Sequence, residues 1–244
     1  MASACRLLWQ TAHGRDRLHD PFHATTEFRL LPRMVSIARL CFPMLHYHAI
    51  PLAVKSLLLE ISPLLLDSQY YLAGGTSLAL RYGHRLSVDL DYFTGQPLEK
   101  DFILSLLAEK INGISDQSSG AMQLLIEGIK VEFLRHDYPL LGEIETVDSI
   151  RMVSIKDAAA MKINAICNRG SKKDFFDLQV LLQTFSLQEM LNFYQKKYAV
   201  GHRFMAIRSL VWFDDADAEP DPESLDGVSW EAVKNQFLQQ VALL

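Results

Sequence analysis

Between Tyr71 and Phe93 the chain reads YLAGGTSLALRYGHRLSVDLDYF. QYYLAG is a short strand that stops at two glycines. The next residues predict a short helix from Thr76 to Tyr82, capped by Thr76, and LSVDLDYF alternates as a second strand. So short a stretch allows one helix and a returning strand. Within a strand, residues i and i+2 share a face. Asp89 and Asp91 therefore project together, with Val88, Leu90 and Tyr92 turned toward the core. Two neighbouring carboxylates repel, and a divalent cation relieves the repulsion. Mg²⁺ is satisfied by one or two protein carboxylates, with water and substrate phosphates completing its shell.

The glycines add a second element. A Gly74-Gly75-Thr76 turn brings phosphate close to backbone N–H groups at the positive end of a helix, and Thr76 adds a hydroxyl donor. The spacing allows the glycine turn and the carboxylates to meet at the same end of the sheet. Each piece alone has a plainer reading: D-x-D as a solvated strand edge, Gly-Gly as a tight turn. No GK[ST] follows the glycines and GxGxxG is absent, so neither a P-loop nor a dinucleotide fingerprint is present. In GIKVEFLRH, Glu132 stands between two core-facing residues, where it serves as a third metal ligand, as a base for an attacking hydroxyl, or as an exposed strand acid. Lys130 shares its face and suits an acid or a phosphate. His84 and Arg85 lie beside the site, as substrate contacts or as loop residues.

Helical periodicity runs from Pro51 to Leu66 and from Glu99 to Ile111. AMQLLIEGIKVEFLRH predicts a hairpin turning at Glu127-Gly128, and IRMVSI a last short strand. After Lys156 the pattern becomes helical: IKDAAAMKINAICNRG ends at Gly170, KKDFFDLQVLLQTF follows, then Leu187 to Tyr198, Gly201 to Phe213, and Trp230 to Val241. The acidic run Asp214 to Asp226 reads as a solvated loop. The expected fold class is α+β: an α/β core over residues 44–155 with a mixed sheet and flanking helices, then a C-terminal helical lobe over 156–244.

Residues 1–43 stand apart. They carry six arginines against three acids and no lysine, a net of +3, which leaves −8 for the remainder of a chain at −5. They read as a disordered leader or as sequence upstream of a start at Met44; a basic arm touching RNA and a targeting segment are the alternatives. The acidic whole argues against nonspecific nucleic-acid binding but leaves room for a local basic groove. Three scattered cysteines without CxxC spacing argue against a disulfide framework or a structural zinc site and for a reducing cytoplasm. The apolar stretch Leu30 to Leu66 is broken by Arg33, Arg39, Pro43, Pro51 and Lys55, so no membrane span is expected.

The Tyr71–Phe93 stretch resembles the signature of the AbiEii/AbiGii-type nucleotidyltransferase toxins, with their strand, Gly-Gly-Thr/Ser, helix, Gly-His-Arg and D-x-D strand. IKDAAAMKINAICNRGSKKDFFDLQVLL is similar to the family's lysine helix and the Lys/Arg-Asp-x-x-Asp-Leu helix after it. HAIPLAVKSLLLEI resembles its opening helix, and SLVWFDDADAEPDPESLDGVSWEAVKNQF its C-terminal end. The resemblance runs from about Met44 to the C-terminus. It implies a DNA-polymerase-β-like nucleotidyltransferase fold and the toxin half of a toxin–antitoxin or phage-defence pair. Carried over by position, it implies phosphate on Gly75 and Thr76, Mg²⁺ or Mn²⁺ on Asp89 and Asp91, nucleotide triphosphate on Lys162, and a late acidic pair at Asp174 and Asp177. Lys172-Lys173 precede that pair where the family often has arginine, and lysine lacks the bidentate fork. From the residues alone, Lys162 also reads as a snorkelling lysine, and Asp174 and Asp177 as a helix cap or as partners of Lys172, Lys173 or Arg169. The implied substrates are an NTP and an RNA acceptor, a tRNA end first among them, or a protein hydroxyl, with an antitoxin as protein partner. The rival reading is an inactive binding module of the same fold acting through a protein partner.

Overall fold

Alternation in two strands organises the sheet. In β2 (Leu90–Thr94), Leu90, Tyr92 and Thr94 are buried while Asp91 and Phe93 are half-buried; in β5 (Ile129–Arg135), Ile129, Val131 and Phe133 are buried while Lys130, Glu132 and Leu134 are not. The two strands run parallel, with Asp91 opposite Glu132. The computed structural model describes residues 44–244, which form one unit; the leader, basic-arm and targeting readings of residues 1–43 lie outside the described residues.

The other strands are β1 (Tyr71–Leu72), β3 (Ile111–Gln117), β4 (Ala121–Ile126), β6 (Glu145–Val147) and β7 (Ile150–Met152). The sheet is mixed, in the order β3-β4-β5-β2-β1-β7-β6, parallel at β5/β2 and β1/β7 and antiparallel elsewhere. One face packs on α1 (Leu52–Leu64) and α3 (Lys100–Leu107) through Leu57, Leu58, Ile61 and Ile103 against Leu72, Leu90, Tyr92 and Phe133. Each of these fully buried apolar side chains contributes roughly 1.5–3 kcal/mol. The opposite face carries α4 (Ile155–Arg169), α5 (Lys172–Leu181) and α6 (Leu187–Lys197), and a shared core joins them to Tyr71, Ala73 and Leu78. The helices from residue 155 onward pack mainly on one another and on α2, and their shared core reaches the strands through Tyr71 and Phe93. The chain continues through α7 (Arg203–Ser209), α8 (Asp214–Asp217) and α9 (Trp230–Ala242). No helix among the described residues is long and apolar enough to cross a membrane.

Several expectations change. The helix α2 (Gly74–Tyr82) starts two residues before Thr76, and its N-cap, Ala73, makes no side-chain cap. Val88 is half exposed and lies outside β2, so it does not face the core. α3 ends at Leu107 because the chain enters β3 at Ile111. The strands β3 and β6 lack the apolar alternation that marks β2 and β5. The acidic run is no free loop. It holds α8, and its residues Glu223 and Leu225 exchange backbone hydrogen bonds with Leu86 and His84 (2.8 Å each).

Candidate functional site

The glycine turn and the carboxylate strand are tied through their backbones. Ala73 N–H donates to the Asp91 carbonyl (2.9 Å), and the Thr76 hydroxyl donates to the Asp89 carbonyl while bonding Ser87 Oγ at 2.8 Å. This explains the fixed spacing: α2 begins where β2 needs to be held. Gly74 adopts φ +63°, which a residue with a side chain rarely takes, and a Cβ there would fall on the Asp91 carboxylate. A Cβ on Gly75 would fall on the Arg85 guanidinium. The helix N-terminus is therefore bare so that an acid and a cation can close over it.

Around this point the chain opens a cleft in two halves. The polar half, about 340 Å³, is lined by Gly74, Gly75, Arg85, Asp89, Lys130 and Lys173. The other, about 310 Å³, is apolar, with Phe93, Leu134, His136, Met161 and Tyr198. Gly74, Asp91, Glu132, Lys162 and Arg169 line both. Among the described residues, the Asp89 and Asp91 carboxylates make no ion pair and accept no hydrogen bond. Burial first, then the neighbouring Glu132, raises the Asp91 carboxyl to about 6, with Lys162 opposing. Glu132 pairs with Lys130 at 3.0 Å, on the face expected for both. Two neighbouring acids that lack a cation of their own are the groups of this cleft that could hold a divalent ion. Among the described residues, no group of three or more His, Cys, Asp or Glu side chains is arranged to hold a metal.

The later acids sit in the opposite environment. Asp174 and Asp177 are fully buried on one face of α5. Asp177 accepts from Arg85 Nε (2.7 Å) and Nη2 (2.8 Å), bonds His84 Nε2 (2.8 Å) and pairs with Lys162 Nζ (2.5 Å). Asp174 accepts from Lys162 Nζ (2.9 Å) and from Arg169 Nε (2.7 Å) and Nη2 (3.0 Å). Burial alone would raise the Asp177 carboxyl, yet Arg85 and Lys162 hold it well below the usual carboxylate range. Burial would lower the Lys162 ammonium, and Asp177 with Asp174 raises it instead. The pair is therefore ionised and saturated. It aims Lys162, Arg85 and Arg169 at the cleft without reaching it.

The structure thus gathers Asp89, Asp91, Glu132, Lys130, Lys162, Gly74, Gly75 and Arg85 along the cleft. It places Thr76, His84, Asp174 and Asp177 behind it; none of these four lines either half. Sequence reasoning missed Arg169 as a site residue. Its signal was periodic: Arg169 lies seven positions after Lys162, two turns along the same helical face. The apolar half was missed because its residues come from β2, β5, α4 and the end of α6. There His136, held down to about 4 by burial and then by the Lys197 charge, is 3.1 Å from the Tyr198 hydroxyl.

Known proteins share this arrangement of chain. The family profile described as "Nucleotidyl transferase AbiEii toxin, Type IV TA system" matches residues 56–243. An uncharacterised protein of Aquifex aeolicus is 38% identical over 183 residues, covering 71% of this chain and 87% of its own. Among solved structures, a protein from H. pylori described as a "putative nucleotidyltransferase" superposes with a TM-score of 0.53 at 18% identity, over 79% of this chain and 93% of its own. MenT4, a nucleotidyltransferase toxin from Mycobacterium tuberculosis, does so with a TM-score of 0.50 at 19% identity, over 78% and 84%. The last two show a shared fold. The profile match and the Aquifex relative go further: this chain belongs to the AbiEii nucleotidyltransferase toxin family.

Proposed function

We propose that this protein transfers a nucleoside monophosphate from an NTP to an RNA hydroxyl, a tRNA end first among them. It would act in the cytoplasm, as the toxin of a pair restrained by an antitoxin and serving phage defence. The observation that carries the chemistry is the contrast inside one cleft: Asp89 and Asp91 without cationic partners, and Arg85, Lys130, Lys162, Arg169 and Lys173 around them. Asp89 and Asp91 would hold Mg²⁺ or Mn²⁺, with Glu132 beside them. When bound, the ion supplies charge neutralisation at the reacting phosphate.

The protein's own groups do the positioning. The α2 N-terminus at Gly74-Gly75 offers backbone N–H groups to phosphate oxygens, and Lys162, Arg85 and Lys173 supply positive charge along the leaving pyrophosphate. Glu132 takes the proton of the attacking hydroxyl. The hydroxyl oxygen bonds to the α-phosphorus as the bond to the bridging β-phosphate oxygen breaks, and pyrophosphate leaves. Thr76 and Ser87 hold Asp89 in place, and His84, Asp174 and Asp177 orient the cations. Alignment of this kind is worth a large share of the barrier.

The test is label transfer from each α-³²P NTP to total tRNA, with Mg²⁺ or Mn²⁺ present and after chelation. Label on RNA, lost in Asp89→Ala/Asp91→Ala and on chelation, is the expected result and names the nucleotide. Label on protein would keep the chemistry and replace the acceptor. Label on nothing, with wild type and variant equally harmless in cells, would leave an inactive binding module in its place.

A further inference from the structure

One cavity outside the cleft has no part in this chemistry. It lies between the last turn of α4 and α7, holds about 240 Å³, and is lined by Cys167, Arg169, Met205, Arg208, Trp212 and Asp215 among others. Trp212 is 55% exposed, Met205 50% and Phe204, on the same helix as Met205, 70%. Large apolar side chains gathered in the open mark a binding surface. The charges around them point to the class of partner. Arg208 makes no ion pair among the described residues, and neither does Lys173 at the rim of the cleft. Arg169 leaves over half of its side chain in solvent while gripping Asp174. Asp215 is the one acid in the cavity wall. A surface for an apolar protein partner alone has no use for an unpaired Arg208 and a largely exposed Arg169 guanidinium. Guanidinium groups beside an open indole suit a single nucleic-acid strand, with charge for phosphate and a ring face for a base.

Position supplies the second argument. Arg169 lines this cavity and both halves of the cleft, and Asn168 lines this cavity and the apolar half. A strand whose end lies in the cleft passes Arg169 on its way out and arrives at Trp212.

We propose that the α4–α7 cavity binds the single-stranded end of the nucleic-acid acceptor, with Trp212 stacking on an unpaired base and Arg208 and Arg169 contacting phosphates. This deepens the RNA-acceptor reading and rests on it. The experiment measures binding of the full chain to a short fluorescein-labelled single-stranded RNA by anisotropy across a KCl series, for wild type, Trp212→Ala and Arg208→Gln, together with KM for the NTP. Both side chains are exposed, so both variants keep the fold, checked by circular dichroism. Trp212→Ala weakens RNA binding about tenfold. Arg208→Gln weakens it and lowers the salt slope by about 0.7. KM for the NTP is unchanged in both. Wild type that does not bind the RNA, or variants that bind it as well as wild type, would overturn the proposal. Wild type that binds RNA through Trp212 yet transfers no nucleotide would sink the transferase reading alone.

Discussion

Asp177→Asn tests whether the buried ion network holds the site in shape. The side chain keeps its outline, but one carboxylate oxygen becomes an NH₂ facing donors. In the wild type that carboxylate serves His84, both forks of Arg85, and Lys162. Lys162 retains Asp174 at 2.9 Å, whereas Arg85, 4% exposed, is left with neutral acceptors alone, the amide oxygen and the Leu86 carbonyl at 2.9 Å. Leaving a buried cation without its partner costs about 3–5 kcal/mol. For a chain of this size that corresponds to a fall in Tm of roughly 6–20 °C. Lys162→Met supplies the contrast. It leaves Asp174 with Arg169 and Asp177 with Arg85 and His84, so every acid keeps a cation and the expected loss is about 1–3 kcal/mol. In the double variant the two penalties should fall short of their sum by about 1–3 kcal/mol, because both act on one contact. Urea unfolding followed by circular dichroism reads all three. An Asp177→Asn protein within about 1 kcal/mol of wild type, or less damaged than Lys162→Met, would refute the account of how Lys162 and Arg85 are held.

Gly74→Ala puts a side chain at φ +63° and onto the Asp91 carboxylate; the backbone term is about 1–2 kcal/mol, while the displaced acid lowers transfer about 100-fold, read as kcat/KM beside a melting curve. Lys197→Met breaks a second buried pair, in which Lys197 Nζ lies 2.7 Å from Asp157 Oδ1 and donates to the Pro139 carbonyl at 2.9 Å, and should cost about 3–5 kcal/mol in urea unfolding. His136 is depressed from 6.5 to about 4, so between those values the unfolded chain binds more protons and its stability contribution falls as pH drops through that window. Asp91, raised to about 6, contributes with the opposite sign over part of the same range. The measurement is therefore the difference between wild type and His136→Gln in unfolding free energy from pH 7 to pH 4. That difference should shrink as the pH falls, and a constant difference would contradict the depressed value.

What the sequence disclosed depended on whether a residue's neighbours were near it in the chain. The hairpin β4–β5 was legible because Glu127 and Gly128 sit between alternating strands, and both take positive φ as a tight two-residue turn requires. α4 was legible through Gly170, which ends it at φ +57°. Edge strands gave less. β3 carries Asn112, Gly113, Ser115 and Gln117, and its pairing with β4 shifts register twice, so no clean alternation survives. The acidic run misled by composition. Glu219 accepts from the Ser171 hydroxyl and the Lys172 amide (2.8 Å each), Asp221 pairs with Lys172 at 2.8 Å, and Asp217 accepts from Trp230 Nε1. Glu219 and Asp221 brace the start of α5 from about fifty residues away in sequence, which no local pattern encodes. Thr76 misled through propensity. A threonine near a helix start is usually a cap, but here Gly74 and Gly75 already form the first turn, and the hydroxyl is free to hold Asp89.

The two acidic pairs also show why spacing alone cannot separate support from chemistry. Asp89 and Asp91 lie two apart beside a strand; Asp174 and Asp177 lie three apart on a helix; each spacing puts two carboxylates on one face. Their surroundings differ in sign. Asp174 and Asp177 are fully buried and held below the ordinary carboxylate range by three cations and a histidine, so they are charged and occupied before any substrate arrives. Such a pair has no capacity left for a ligand. Asp91 is pushed the other way, by burial and by Glu132, and neither it nor Asp89 has a cation of its own. Repulsion left uncompensated in the resting protein is relieved only when positive charge enters from outside. The supporting pair fixes positive groups at one wall of the cleft, and on the function proposed above the unpartnered pair would take an incoming cation at the other. The same arrangement accounts for the bare glycines at the start of α2. They let the Asp91 carboxylate and the Arg85 guanidinium close on the start of the helix, and on the function proposed above the backbone N–H groups there would meet phosphate.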